Sequence, residues 1–168
     1  MKGFLIWLVL LACSPEIFSQ NEIEILSTDK IIKLIPNKII GFRLRTDPRS
    51  KLMKLGTILY SMAEKDFSAS KNRSIKILLF DYKEAPVMYN QATGKWTTFS
   101  TIETDSLIRR PTKIDNCTGW ESYDAARKNS QILVGIFNRY YLTVEGTNVD
   151  LEFLKKVVSE FKLDTFPK

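Results

Sequence analysis

Residues 131–145, QILVGIFNRYYLTVE, decide the fold of this chain. Aliphatic, β-branched and aromatic residues fill both halves of the stretch, and Asn138-Arg139 supplies a short turn between them. The pattern predicts strands over residues 131–137 and 140–145, joined as a hairpin. Residues 119–123 have the same character. The sequence therefore predicts a three-stranded antiparallel meander in the C-terminal third.

A helix is predicted after the meander, which Gly146 ends. Thr147-Asn148-Val149-Asp150 resembles a capping box, in which polar side chains satisfy the first free N–H groups of a helix. The apolar residues that follow recur at helical spacing and form one stripe: Leu151, Leu154, Val157, Val158 and Phe161. We expect this stripe to pack on the meander.

The N-terminal half predicts a short helix and three strands. Residues 30–35 form the helix, which Pro36 ends, because proline cannot continue a helical hydrogen-bond ladder. Residues 39–45 predict a strand, and residues 46–50 a turn region. The remaining two strands, residues 56–67 and 74–82, predict a hairpin. Because the second of them is apolar on both faces, we expect a central strand with cover on each side.

The middle of the chain predicts one helix and one irregular segment. Pro86 suits the first position of a helix, which we expect to run to about Thr93. Residues 105–117 predict an irregular connection, because Pro111 breaks any strand there.

This order of elements predicts a single α+β domain over residues 20–168. Its sheet is mainly antiparallel, with N-terminal, mid-chain and C-terminal helices packed on it. The chain is 44% hydrophobic, with ten Phe, six Tyr and three Trp, which is ample for one core. We expect the domain to fold without a disulfide, because Cys117 stands alone once Cys13 is removed or modified.

Several packing and turn residues resemble those of a known architecture. They are Leu34-Ile35-Pro36, Ile40-Gly41-Phe42, and residues 120–123 leading into 133–146. Together they resemble the small exported bacterial domains of PsbP-like architecture, over most of residues 28–163. Families of this kind are mostly uncharacterised or act as envelope accessory and adaptor proteins. The resemblance implies the fold more than a function.

The first nineteen residues predict an export signal. Lys2 precedes an apolar run over residues 4–12, and Pro15 follows it. Cleavage after Ser19 would leave a soluble chain that begins at Gln20. The alternative is a lipoprotein signal over residues 1–12, because Leu10-Leu11-Ala12-Cys13 resembles a lipobox with Cys13 as the lipidated residue. Both interpretations predict an exported protein, periplasmic or extracellular, and the second anchors it to a membrane.

Composition excludes most catalytic chemistry. The chain has no histidine, which removes Ser-His-Asp and Cys-His catalysis and imidazole metal ligands. With one mature cysteine, thiolate metal sites are excluded too, so we expect no catalytic residues, no metal and no cofactor. Ser68-Ala69-Ser70-Lys71 has the spacing of a Ser-Lys pair, but it falls where a hairpin turn is predicted and favours a polar turn.

Two kinds of residue could form binding surfaces. The densest basic stretch is Arg43, Arg45, Arg49, Lys51 and Lys54, and a second comprises Arg109, Arg110 and Lys113. Either could meet lipid headgroups, glycans or an acidic partner, or could form a solvated face, since the net charge is +6. The aromatic candidates are Trp96, Trp120, Tyr123, Tyr140 and Tyr141, which could line a pocket or belong to the core. Tyr140 and Tyr141 are adjacent and must point to opposite faces, so that one of them could be exposed.

These observations predict an exported, non-enzymatic binding or accessory protein of the cell envelope or periplasm, with another protein as partner. The alternative is a carrier or sensor of a small apolar or anionic ligand, with an aromatic-lined cleft between the sheet and the C-terminal helix. A hydrolase that uses carboxylates or the Ser-Lys pair is a third interpretation. Nucleic acid is excluded as a partner by export and by the lack of an aromatic-interleaved basic motif. Membrane contact is expected only through a lipid on Cys13.

Overall fold

The structure is a computed structural model that describes residues 24–168. The predicted signal, both predicted cleavage positions and Cys13 lie outside the described residues.

Within residues 24–168, nine antiparallel strands form one sheet, and three helices pack on it. The strands are β1 (Arg43–Leu44), β2 (Arg49–Leu55), β3 (Ile58–Ala69), β4 (Arg73–Asp81), β5 (Ile102–Glu103), β6 (Leu107–Ile114), β7 (Cys117–Asp124), β8 (Asn129–Ile136) and β9 (Tyr140–Thr147). The helices are α1 (Thr28–Ile31), which continues as a 3-10 turn (Ile32–Leu34), α2 (Pro86–Thr93) and α3 (Leu151–Ser159). A second 3-10 turn, Leu163–Thr165, follows α3. The predicted α+β fold with a mainly antiparallel sheet is confirmed.

The strand order is β1-β3-β4-β9-β8-β7-β6-β5, and β2 also pairs with β3. Strand β4 is therefore central, as predicted. The predicted meander corresponds to β7, β8 and β9, and β6 extends it.

The β8–β9 turn is centred one residue earlier than predicted, because Phe137 and Asn138 both have positive φ, 52° and 53°. Strand β9 also continues past Gly146, where we expected it to end.

One face of the sheet, which we call the closed face, is covered by α1 and α3. The predicted stripe of α3 is confirmed, because Leu154, Val157 and Val158 are fully buried against the sheet residues of the main core. The cap is Asp150 itself, whose carboxylate accepts a hydrogen bond from the Phe153 amide at 2.7 Å. This satisfies a free N–H group at the first turn, as an N-cap residue does.

A buried lysine fastens α1 to the closed face. Lys65 of β3 is 2% exposed, and its Nζ donates to the Ile35 carbonyl at 2.6 Å and to the Asn37 Oδ1 at 2.7 Å. Burial lowers the pKa of Lys65. The amine therefore closes the end of the N-terminal helical segment, where carbonyl groups lack intrahelical partners.

The opposite face, which we call the open face, is covered at one end only. Helix α2 begins at Pro86 and ends at Thr93, as predicted, and it lays Tyr89 over β8. A Cβ atom on Gly135 would lie 2.5 Å from the Tyr89 hydroxyl oxygen, so glycine allows this close approach. Elsewhere the open face includes charged and polar side chains of β3, β4, β9 and β8, among them Glu64, Lys76, Glu145 and Gln131.

The predicted N-terminal strands are corrected in three places. Residues 39–42 form a tight bridge, with Gly41 at φ +81°, and only Arg43–Leu44 continues as a strand. The predicted turn over residues 46–50 is too long, because β2 begins at Arg49. The predicted strand over residues 56–67 begins too early, since Gly56, at φ +61°, opens a two-residue turn before β3. A type II′ hairpin turn has glycine, at positive φ, as the first of its two central residues.

The predicted irregular connection over residues 105–117 is wrong. Strand β6 runs through Pro111, which lies opposite Trp120 of β7. Strand β5 pairs only with Ile108 and Arg109, so Pro111 lies on an outer edge of the sheet. Proline lacks an N–H donor, and an edge position needs none on its open side.

One buried ion pair holds several segments together. Arg139, in the β8–β9 turn, donates from Nε and Nη2 to the two carboxylate oxygens of Asp81 at 2.8 and 2.7 Å. The Leu26 amide donates to the same carboxylate at 2.8 Å, and the Arg139 guanidinium also donates to the carbonyls of Glu24 and Lys168, each at 3.2 Å. The pair therefore joins the end of β4, the β8–β9 turn and both ends of the described chain.

We predict that Arg139→Met lowers the free energy of unfolding by about 3–5 kcal/mol, because it leaves Asp81 buried without its cation. Denaturant unfolding followed by circular dichroism measures the change. Arg127→Met is the matched control, because Arg127 pairs with Asp124 at 3.6 Å on the surface, with its side chain 81% exposed. An exposed pair is worth about 0–1 kcal/mol. Equal losses in the two variants would contradict the prediction.

Candidate functional site

The first basic stretch lies along one edge of the sheet. All five residues are exposed, Arg43 and Arg45 at β1 and the other three on β2. Arg49 is held by Glu64 at 2.8 Å and Asp66 at 3.4 Å. Burial alone would raise the pKa of Glu64, but the positive charges of Lys76 and Arg49 lower it. Among residues 24–168, the other four basic residues of the stretch form no ion pair.

Strand β2 and the start of β3 form a two-stranded ribbon that extends past the rest of the sheet. The last pairing between β3 and β4 is Ser61 with Asp81, so residues 58–60 pair only with residues 53–55. We call residues 49–60 the ribbon. Three apolar side chains on it are exposed, Leu52 by 54%, Met53 by 36% and Leu55 by 65%. Within residues 24–168, β2 pairs with no strand other than β3.

The predicted aromatic residues separate into three environments. Trp96, in the segment that follows α2, stacks on Tyr141 of β9 with ring centroids 6.1 Å apart. Tyr140 belongs to the closed face, where it is fully buried and packs edge-on against Phe166 at 5.3 Å. The two adjacent tyrosines point to opposite faces, as expected, but neither is exposed, because Tyr141 is half-buried on the open face.

The other two aromatic candidates border surface depressions. Tyr123 is half-buried near the start of α3. Trp120 is separate from the Trp96–Tyr141 pair and packs against Phe99 at 5.4 Å.

Trp120 forms part of the floor of an open groove on the open face. The groove has a volume of about 480 Å³. Its lining comes from β5 to β8 and from the segment before β5, and comprises Phe99, Ser100, Ile102, Arg109, Trp120, Ser122, Gln131 and Leu133. A volume of this size lies within the range of about 300–1,000 Å³ found for small-molecule sites.

The second basic stretch is divided between the two faces by strand alternation. Arg110 lies on the closed face, where its Nε donates to Glu121 at 2.6 Å and its Nη1 to Glu103 at 3.2 Å. Arg109 and Lys113 lie on the open face. Arg109 borders the groove, whereas Lys113 lies outside the groove lining.

The groove does not lie between the sheet and the C-terminal helix, where we expected an aromatic-lined cleft. The apolar stripe of α3 fills that interface with fully buried side chains. The aromatic-lined groove lies on the opposite face, where the segment over residues 99–102 forms its wall.

The Ser68–Lys71 pair, Cys117 and Glu121 lie in a strand and turn, against the core and in an ion pair, respectively. Ser68 is the penultimate residue of β3, where it lies opposite Ser74 of β4, and Lys71 lies in the β3–β4 turn with φ 61°. Cys117 is a half-buried free thiol packed against the main core, and burial raises its pKa. Burial would raise the pKa of Glu121 as well, but the hydrogen bond from Arg110 and the positive charge of Lys155, 3.2 Å away, lower it.

Among residues 24–168, no three His, Cys, Asp or Glu side chains are grouped to hold a metal ion. Over the same residues, no helix has the length and apolar character needed to cross a membrane.

The sequence analysis did not predict the exposed apolar residues of the ribbon or the apolar residues Phe99, Ile102 and Leu133 of the groove. On β2, Lys51-Leu52-Met53-Lys54-Leu55 mixes charged and apolar residues on both faces. A strand with no uniformly apolar face is typical of a ribbon outside the core. This pattern could have predicted the ribbon from the sequence. The groove residues Phe99, Ile102 and Leu133 carry no comparable signal, because pairings between distant strands bring them together.

Comparisons with known proteins found no relative. No family model, no curated protein and no solved structure matches the chain. The PsbP-like resemblance therefore stays a prediction.

A small cluster at α2 contains the aromatic residues Tyr60, Phe80, Tyr82, Tyr89 and Tyr141. Its buried tyrosines predict a loss of stability in alkali. Burial raises the pKa of Tyr82 and of Tyr141 to about 12, from an ordinary value of 10.0. Between these values the unfolded chain releases protons that the folded protein keeps, so stability falls as pH rises from about 10 to 12. The expected slope is about 1.4 kcal/mol per pH unit for each tyrosine.

Denaturant unfolding of wild type, Tyr82→Phe, Tyr141→Phe and the double variant at pH 8–11.5 measures this slope. Phenylalanine keeps the ring contacts and removes the proton, so each variant should be less sensitive to alkali and the double variant least of all. A double variant with the wild-type slope would contradict the assignment.

Proposed function

We propose that this protein is an exported, non-enzymatic accessory protein that binds another cell-envelope protein through the ribbon. The observation that carries the proposal is the exposure of Leu52, Met53 and Leu55 on a strand whose outer edge is unpaired within residues 24–168. An unpaired strand edge presents backbone N–H and C=O groups that can take up an extended segment of a partner. Exposed apolar side chains beside such an edge mark an interaction surface.

The charge of the ribbon defines the chemistry of the partner. Strand β2 carries Arg49, Lys51 and Lys54 and no acidic residue. Pairing of two β2 strands from two copies would bring these positive charges together, and like charges across a strand pair are destabilising. We therefore expect a different protein that offers an extended segment with acidic and apolar side chains.

The proposed location rests on the sequence signal. The mass of the mature N-terminus, measured on protein purified from its host, distinguishes the two forms. A chain that begins at Gln20 supports the soluble exported form, and an acylated Cys13 supports the lipoprotein. A mature chain that keeps residues 1–19 would contradict export.

A photo-cross-linking residue placed at position 52 tests the partner interaction in envelope preparations. We predict a discrete adduct at position 52 and none at Val87, which is an equally apolar control on α2 that is 61% exposed. Lys51→Glu with Lys54→Glu should abolish the adduct, because it reverses the charge that attracts an acidic segment. Lys51→Arg with Lys54→Arg should keep it.

Lys95→Glu with Lys113→Glu is the control for net charge, because both lysines are exposed and lie away from β2. This variant should keep the position-52 adduct. Equal labelling at positions 52 and 87, or an adduct that survives the β2 charge reversal, would contradict the proposal. An adduct with the mass of two copies would show self-association instead.

A further inference from the structure

The groove on the open face has an apolar half that is only partly covered by the protein. Trp120 and Leu133 form its floor, and Phe99 and Ile102 form its wall. Phe99 meets Trp120 edge-on, with an interplanar angle of 71°, yet remains 49% exposed. An apolar molecule on this floor would cover Phe99, and burial of apolar surface is favourable by about 25 cal/mol per Å².

The other half of the groove carries a positive charge. Arg109 lies opposite Ser122 on β7 and Ile102 on β5, both uncharged. Among residues 24–168, Arg109 forms no ion pair, whereas its neighbour Arg110 holds two carboxylates on the closed face. The guanidinium at the groove is therefore free to bind an anion.

The carboxylates nearest this half are already engaged. Glu145 accepts a hydrogen bond from Gln131 at 2.8 Å. Asp124 lies 3.6 Å from Arg127, and both line a neighbouring depression that shares Arg109, Ser122 and Gln131 with the groove. Neither acid belongs to the groove lining, in which Arg109 is the charged residue, and the charge of Asp124 is balanced by Arg127. The lining therefore carries a net positive charge, which favours a negatively charged ligand.

We propose that this groove binds a small amphipathic carboxylate. Its apolar body lies on Leu133 and against the exposed ring of Phe99, which itself covers the buried Trp120. Its carboxylate accepts hydrogen bonds from the Arg109 guanidinium, the donor suited to bidentate recognition. The Ser122 hydroxyl is a further donor at the same end. This site lies on the open face and does not depend on the ribbon or on its partner.

Isothermal titration calorimetry of the folded protein with decanoate and with decanol, at fixed ionic strength, tests the site. We expect saturable binding of decanoate and binding of decanol at least tenfold weaker, because the alcohol lacks the charge that Arg109 binds. Arg109→Gln should weaken decanoate binding about tenfold and leave decanol unchanged. Lys113→Gln, on the same strand and the same face but outside the groove, should leave both unchanged.

Phe99→Ala should weaken both ligands several-fold, because it removes the apolar wall that they share. Unfolding curves for each variant establish that it is folded. Absence of saturable decanoate binding to the wild-type protein would overturn the proposal. Equal effects of Arg109→Gln and Lys113→Gln would also overturn it, since they would show general attraction to a basic protein.

Discussion

The fold depends on a buried charge pair between Arg139 and Asp81. Each partner is expensive to remove from water, and the cost is offset because every side of the pair is hydrogen-bonded. The Leu26 amide and the carbonyls of Glu24 and Lys168 complete its surroundings. Two strands that are far apart in sequence, β4 and β9, are thus fixed side by side at the centre of the sheet. The outer strands add to this pair on both sides.

The two faces of the sheet have different roles because the helices are unevenly distributed. Helices α1 and α3 cover the closed face, and its core contains the largest fully buried side chains. Helix α2 covers only one end of the open face. Trp96 and Phe99, which follow α2, pack on the neighbouring part of that face and form one side of the groove. The surface beyond them faces solvent, so it can carry isolated charges at little cost in stability. The ribbon, which extends past the sheet, also faces solvent.

The sequence predicted the elements whose signals are local. The stripe of α3 follows from helical spacing, and α2 follows from Pro86. The failure at Pro111 has a physical reason: proline excludes a central strand, but at an edge its missing N–H faces no partner. The β8–β9 turn was misplaced because Phe137, a poor residue for positive φ, occupies it. The groove could not be predicted, since Phe99 and Leu133 meet only through strand order.

The two margins of the sheet are unlike, and this sets the stoichiometry of strand addition. At the β6 margin, Pro111 and the two-residue β5 leave little backbone to which a strand could bind. At the β2 margin, a longer row of backbone groups is available, but its lysines oppose a second copy of itself. Open-ended polymers require two complementary margins on each molecule. In the proposed interaction, a molecule built this way would accept one foreign strand at the β2 margin, which predicts a capped one-to-one complex and no growing filament.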